Sequence, residues 1–352
     1  MKDFTKHLIS DTRSILEALK QLDQLSNNPN NLTLFVHDES GKMVGTLTDG
    51  DIRRGLIKGN TLEDSVKSFM VKNFYSFTNN NISVQYIKEI RDNQIKLVPL
   101  IGDNGRIIRI FDFTKRKIIL PVDAVLMAGG RGERLRPLTD NTPKPMLKIG
   151  NKPIIEHNID NLMAHGIDNY FITVNYLSEQ IIDYFGNGEK KEINLHCIKE
   201  TKPLGTIGSV SLITNFYNDT ILIMNSDLFT NINYEDFYLN FINENADMSV
   251  ASIPYNVSVP YAILNLKNDT ISSFEEKPTY TYYANAGIYL IKRKLLKAIP
   301  INEHFNTTDF IQALLDNGNK VIKYPIIGYW VDIGRREDYN KAQEFAKHLL
   351  RN

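Results

Sequence analysis

The stretch VDAVLMAGGRGERLRPLTDNTPKPMLK, residues 122–148, decides how the rest of this chain is read. It opens on an apolar run, Val122 to Ala128, with the length and composition of a buried strand. Gly129, Gly130 and Gly132 follow at once, where backbone free to take positive φ can approach a ligand closely. Arg131, Arg134, Arg136 and Lys144 then crowd one loop. Backbone amides and several cations just beyond a strand suit a polyphosphate. Two familiar phosphate loops do not fit. No G-x-x-x-x-G-K-[ST] string occurs, and a dinucleotide fingerprint would open a helix where Pro137 stands. An ordinary tight connection would leave three glycines, three arginines and a lysine in one loop without a cause.

Downstream, strand and helix signals alternate, the mark of an α/β sheet. Residues 153–165 read as a helix stopped by Gly166, 170–174 as a strand, 178–185 as a helix and 193–198 as a strand. Residues 206–216 read as a helix, and 220–224 as a buried strand running into Asn225, Ser226 and Asp227. Ligands of open α/β sheets sit outside the carboxyl ends of the strands, so the glycine loop and Asp227 are expected to converge. Helices are expected again over 292–299, 307–317 and 337–350.

Upstream, Leu8–Ser10 reads as a strand and Asp11 or Thr12 as the cap of a helix carrying Ile15, Leu16, Leu19 and Leu22. Residues 32–36 and 43–47 flank the turn DESGK as a hairpin, and a helix opens at Thr48 and runs to Ile57. The pattern partly repeats: a helix over 82–90, then strands over 97–101 and 107–111 around GDNGR. Two copies of similar length imply a pseudo-twofold pair, since one unit alone cannot bury its sheet. Residues 114–121, basic then apolar and ending in Pro121, read as a linker.

The 352 residues give room for two domains. Lys plus Arg and Asp plus Glu each total 41, so no global field favours nucleic acid or membrane. The single cysteine, Cys197, excludes an internal disulfide and a cysteine-based zinc cluster. No apolar run nears the ~20 residues that span a bilayer, and the first residues lack a signal-peptide core. A cytoplasmic setting is the expectation.

The ordered string G-G-x-G-x-R-L-x-P-L-T, followed by P-K-P, resembles the signature loop of the sugar-1-phosphate nucleotidyltransferases, in particular those similar to mannose-1-phosphate guanylyltransferase. These enzymes convert an NTP and a sugar-1-phosphate into an NDP-sugar and pyrophosphate. The resemblance implies a Rossmann-like, GT-A-like α/β domain with a mixed or parallel sheet over 122–352. It implies that Met127, Ala128, Gly129, Gly130 and Gly132 hold the nucleotide, with Pro203, Leu204 and Gly205 of the segment ETKPLGT around the base. It gives Arg134 and Lys144 to the triphosphate and the leaving pyrophosphate. Glu276 and Lys277 of an E-K-P string would meet a sugar hydroxyl and the sugar phosphate, and Asn285 and Gly287 of N-A-G would border the sugar. Asp227 and Asp332, the latter within GYWVDIG, would bind Mg²⁺, which takes one or two carboxylates plus phosphate oxygens. Either aspartate alone would read as a cap or turn residue; the pair together with the glycine loop favours the metal.

Glu200 occupies the position whose side chain reads the base. An ionised carboxylate only accepts hydrogen bonds. Guanine offers two adjacent donors, whereas uracil and thymine offer one N–H between two carbonyls, which a glutamine suits better. Glu200 therefore favours GTP over UTP or dTTP. The rivals are a UTP- or dTTP-dependent enzyme acting on a hexose-1-phosphate and a nucleotide sensor without turnover. A cytidylyltransferase is disfavoured by the E-K-P and N-A-G strings. By resemblance the sugar would be glucosamine-1-phosphate or a manno-configured one, for surface-glycan or nonulosonic-acid synthesis.

Residues 1–118 resemble a tandem cystathionine-β-synthase-type (CBS) module, an α+β unit that binds adenine nucleotides in many enzymes. The sharpest match is GTLTDGD, from Gly45 to Asp51, in which Thr48 and Asp51 would contact phosphate and ribose. The same two residues also fit a helix cap with a first-turn acid. The second copy, RIFDFT from Arg109, lacks that aspartate. A homo-oligomer is expected.

Overall fold

The computed structural model describes residues 4–25, 32–78, 83–114 and 116–349. Its internal contacts divide the chain into Met1–Ile119 and Leu120–Asn352.

The first unit contains β1 (Leu8–Ser10), α1 (Ile15–Gln24), β2 (Thr33–His37), β3 (Met43–Thr48), α2 (Asp49–Ile57), α3 (Val84–Asp92), β4 (Leu97–Ile101) and β5 (Ile107–Asp112). The repeat is visible in the pairing. β2 and β3 form one antiparallel hairpin, with β1 lying parallel to β2. β4 and β5 form another, with Phe77 bridged in parallel to Leu100. No helix matching α2 follows β5 among the described residues. Ile15, Ala18 and Leu22 of α1 pack with Leu34, Val36, Leu47 and Ile52 in one core. The start of the second helix signal, Ile82, lies outside the described residues. The expected cap of α1 needs correction. Asp11 still extends the β1 ladder, its N–H donating to His37 O, and Ser14 is the cap. Ser14 and Glu17 exchange bonds as a capping box, and the S-x-x-E string was there to be read.

The second unit is built on a seven-stranded mixed sheet. Its elements begin with β6 (Val122–Ala128), the short pair β7 (Lys148–Ile149) and β8 (Lys152–Pro153), and α4 (Ile154–Ala164). β9 (Asn169–Val174), α5 (Ser178–Phe185), β10 (Asn194–Lys199), β11 (Thr220–Asn225), β12 (Leu228–Thr230) and α6 (Tyr234–Asn243) follow. Next come β13 (Met248–Ser258), β14 (Ile263–Lys267), β15 (Thr270–Glu275) and β16 (Thr279–Lys292). The unit ends in α7 (Thr307–Asp316), β17 (Val321–Pro325), β18 (Trp330–Asp332) and α8 (Arg336–Leu349).

The sheet order is β10-β9-β6-β11-β16-β13-β17. β10, β9, β6 and β11 are mutually parallel, while β16 runs antiparallel between β11 and β13. The apolar run expected at 122–128 is the third strand in this order, and Ala124, Val125 and Leu126 are fully buried. Asp123 is buried too, but as a structural acceptor: it takes N–H groups from Tyr217 and Asn218 and the side-chain amides of Asn169 and Asn218.

Two helix expectations are corrected here. Over 206–216 only Gly208–Leu212 is helical, and as a 3-10 turn. The amides of Ile207 and Gly208 donate to Phe305 O, across the fold. Over 292–299 the helix is likewise 3-10, Arg293–Ala298. Among the described residues no helix is long and apolar enough to cross a membrane.

Candidate active site

The four parallel strands end in register: Ala128 pairs with Val174, Val174 with Lys199, and Asn225 with Met127. Just past those ends stand Gly129, Asn175, Glu200 and, two residues beyond Asn225, Asp227. All four line one cavity of about 730 Å³. Strand order thus gathers residues far apart in sequence on one side of the sheet. The same cavity is lined by Met127, Ala128, Gly130, Gly132, Arg134, Lys144, Pro203, Leu204 and Gly205, so the nucleotide and phosphate residues expected from the sequence share one space.

At one end lies Glu200, buried, with Oε2 accepting the N–H of Leu204. Burial pushes its carboxyl above the ordinary value of 4.5, opposed by the Leu204 amide and the Asn175 side chain. Gly129 is what lets it sit there: a Cβ at that position would lie 2.5 Å from Glu200 Oε1.

Toward the other side Lys144, also buried, donates through Nζ to Asp227 Oδ2 and lies 3.8 Å from Asp332 Oδ1. Asp332 reaches this point because β18 pairs with β12, setting Asp332 opposite Leu228. Its carboxyl is raised by burial and by the charge of Asp227, while Lys144 and Arg134 pull it down. Asp227 Oδ1 is buried with no hydrogen-bond partner. An orphaned carboxylate oxygen and a second carboxylate close by make a donor set that fits a hard divalent cation, with phosphate oxygens completing the shell, and the Lys144 ammonium occupies the space between the two. Among the described residues no group of three or more His, Cys, Asp or Glu could hold a metal by itself.

Gly287 borders the cavity through Asn225, whose Nδ2 would be 2.6 Å from a Cβ added there, and Asn285 Oδ1 accepts the Gly287 N–H. Trp330 Nε1 donates to Ala286 O, tying β18 to this strand. Glu276 and Lys277 stand apart from the cavity lining. Both side chains are about two-thirds exposed, 65% and 68%, with the Lys277 ammonium 4.0 Å from Glu276.

Residues that sequence reasoning did not assign also line the cavity, among them Asn175, Ser209, Asn225 and His304. Asn175 and Asn225 carry the signal used for Asp227, a polar residue at a strand end. His304 carries none. Its segment is seated by close backbone approach: a Cβ on Gly205 would lie 2.6 Å from Phe305 O, and one on Gly208 2.4 Å from Glu303 O. Phe305 N donates in turn to Leu204 O.

Thr48 and Asp51, in the first unit, cap α2. Asp51 Oδ2 accepts from both the N–H and the hydroxyl of Thr48, and Oδ1 accepts from Arg54. The aspartate is buried and both oxygens are engaged. Thr48→Ala is expected to lower stability by about 1 kcal/mol, read as a lower urea midpoint of the full chain.

The chain's similarities fit this geometry. The profile described as "Nucleotidyl transferase" matches residues 123–348. A probable mannose-1-phosphate guanylyltransferase 1 of Oryza sativa subsp. japonica is 30% identical over 226 residues, 61% of this chain and 62% of that protein. A D-glycero-alpha-D-manno-heptose 1-phosphate guanylyltransferase of Aneurinibacillus thermoaerophilus is 27% identical over 65% of this chain and all of its own length. The crystal structure of HddC from Yersinia pseudotuberculosis complexed with GMP-PN superposes with a TM-score of 0.51 at 25% identity, covering 63% of this chain and 98% of that one. Four curated relatives at 30% to 33% identity are themselves covered over only 54% to 62% of their length.

Proposed function

We propose, from the premise that this chain belongs to the nucleotidyl transferase family, that it transfers the guanylyl group of GTP to a sugar-1-phosphate, releasing pyrophosphate. The observation that carries the reading is the single cavity holding Glu200 and Gly129 together with Lys144, Arg134 and Asp227, with Asp332 reached through Lys144.

The sugar phosphate is its own nucleophile, since the second pKa of a phosphate monoester is about 6. Its oxygen attacks the α-phosphorus of GTP as the bond to the bridging oxygen breaks, and the electron pair leaves with pyrophosphate. No general base is needed, so the protein contributes position and charge. Lys144 and Arg134 offset charge on the triphosphate and the leaving group. The glycine loop offers backbone amides to phosphate oxygens. Asp227 and Asp332 would hold Mg²⁺, which when bound supplies Lewis acidity at phosphate oxygens. Lys277, exposed and outside the cavity lining, would take the sugar phosphate. A matrix of the four NTPs against sugar-1-phosphates, followed by pyrophosphate release, tests the reading; glucosamine-1-phosphate and manno-configured sugars head the panel. Release with no pair would end it.

Glu200 supports the choice of guanine. As an acceptor for N1–H and the exocyclic amine, it must be ionised. Hydrogen bonds to a charged group contribute about 1.5–3 kcal/mol, so Glu200→Gln is expected to cut preference for GTP over UTP roughly 10- to 100-fold. Because burial raises its pKa above 4.5, protonation begins at a higher pH than for a free glutamate. GTP affinity should therefore weaken relative to UTP affinity as pH falls from 7.5 toward 4.5. Calorimetric titration at the two pH values reads this.

For the first unit, the two hairpins, the first with a short parallel strand before it and the second with a single parallel bridge at Phe77, support a tandem CBS module. An adenine nucleotide there would need partners other than the Asp51 carboxylate, which its own helix already uses. Titration of the full chain with AMP and ATP checks for that ligand; no heat with either would remove it.

A further inference from the structure

Of the four cations that crowd the loop after β6, three face carboxylates. Arg136 lies 3.4 Å from Asp140, Lys144 donates to Asp227, and Arg134 pulls down the carboxyl of Asp332. Arg131 is the exception. It lines the cavity, and among the described residues no carboxylate stands within ion-pair distance of it.

What Arg131 has instead is an aromatic face. Its guanidinium carbon stands 5.9 Å from the centroid of the Tyr176 ring, within the ~6 Å reach of a cation–π contact. Tyr176 follows the end of β9, the neighbour of β6, and its hydroxyl is fastened to the glycine loop. It donates to Asp140 O at 2.9 Å, with Thr139 O at 3.1 Å. Gln180 of α5 donates to Asn141 O at 2.9 Å, and the Thr139 hydroxyl closes back on Gly132 O at 2.9 Å. The loop is thus strapped to the end of β9, and the ring that straps it also carries Arg131. A guanidinium held by a ring, with no carboxylate against it, keeps its donors and its charge for a ligand.

Position decides which phosphates that ligand presents. The sheet order sets β9 on one side of β6 and β11 on the other. Asp227 lies past β11, so the two aspartates are on one side of the loop, and Arg131 with Tyr176 is on the other. Arg131 is not among the charges that shift the Asp332 carboxyl. The reacting α-phosphate belongs beside the aspartates, and the phosphates that fall to Arg131 are those beyond it. Lys202, the remaining Lys or Arg of the lining, belongs to the segment expected around the base.

We propose that Arg131, seated on Tyr176, grips the terminal phosphates of the NTP, the two that leave as pyrophosphate, and makes the cavity select triphosphates over shorter nucleotides. The proposal rests on reading the cavity as a triphosphate site and is independent of the base. The planar fork of a guanidinium suits paired phosphate oxygens. Arg131 is then a binding residue and Tyr176 a positioning residue that acts through it.

The test is calorimetric titration of the full chain, with Mg²⁺ present, using GTP, GMP and inorganic tripolyphosphate. Arg131→Met should weaken GTP and tripolyphosphate at least tenfold and leave GMP within twofold. Tyr176→Leu should weaken the same two probes. The double variant should bind them within twofold of Arg131→Met alone, because residues that act as a unit do not add. Arg131→Met within twofold of the parent for GTP overturns the proposal. So does an equal loss of GTP and GMP, which would mark a distorted loop. Losses that simply add in the double variant remove Tyr176 as the support. If guanine is the wrong base, GTP and GMP give no heat while tripolyphosphate still reports on Arg131, so the two failures are told apart. A parent chain that binds neither GTP nor tripolyphosphate overturns the proposal outright.

Discussion

Asp227→Asn is expected to lower turnover about 10³-fold or more, with the fold intact. The substitution keeps the shape of the side chain and removes its charge. The backbone at 227 still accepts the N–H of Ile333, and the flanking Leu228 and Phe229 stay buried, so a large loss of structure is not expected. What disappears is the anionic oxygen that accepts from Lys144 and the second oxygen that is buried without a partner. An unsatisfied buried carboxylate oxygen is costly to maintain, and a divalent cation satisfies it. Charge stabilisation by a bound metal is worth several kcal/mol in the transition state, and each 1.36 kcal/mol is tenfold in rate. Pyrophosphate release by Asp227→Asn beside the parent enzyme reads the outcome. A variant within tenfold of the parent would remove Asp227 from the metal site, and with it the reason for pairing it with Asp332.

The parts of this site that were legible in the sequence are those fixed by local chemistry. The glycine loop follows an apolar run directly, and Asp227 follows one at two residues' distance, so strand-end logic puts both at the carboxyl edge of the sheet. Asp332 was legible only as a string, because its approach to Lys144 depends on β18 pairing with β12, a contact about a hundred residues long in sequence. His304 was illegible for a related reason. It enters the cavity because Gly205 and Gly208 admit the backbone of 303–305, where Phe305 O accepts the amides of Ile207 and Gly208. At Thr48 and Asp51 the sequence left two readings open, and the capping box is what the structure contains. For Glu276 and Lys277 the string gave chemistry without place; their exposure leaves them outside the cavity lining.

Lys144→Met should separate two roles that one side chain fills. Methionine keeps the volume of the buried stem, so packing against the glycine loop survives. Turnover should fall roughly 10²- to 10³-fold, the usual cost of removing one charge-stabilising group from a water-excluded site. Metal binding without nucleotide should move the opposite way. The Lys144 ammonium donates to Asp227 and lies 3.8 Å from Asp332, so a cation seeking the same carboxylates competes with it. With methionine there, the two carboxylates repel each other with less positive charge to offset them, and a divalent cation relieves more repulsion than in the parent. Mg²⁺ should accordingly raise the melting temperature of Lys144→Met more than that of the parent chain, by linkage to the folded state. A thermal shift titration with MgCl₂ and no nucleotide reads this without any turnover. A smaller shift in the variant would mean that Lys144 helps to build the metal site and does not compete for it, even if turnover fell as expected.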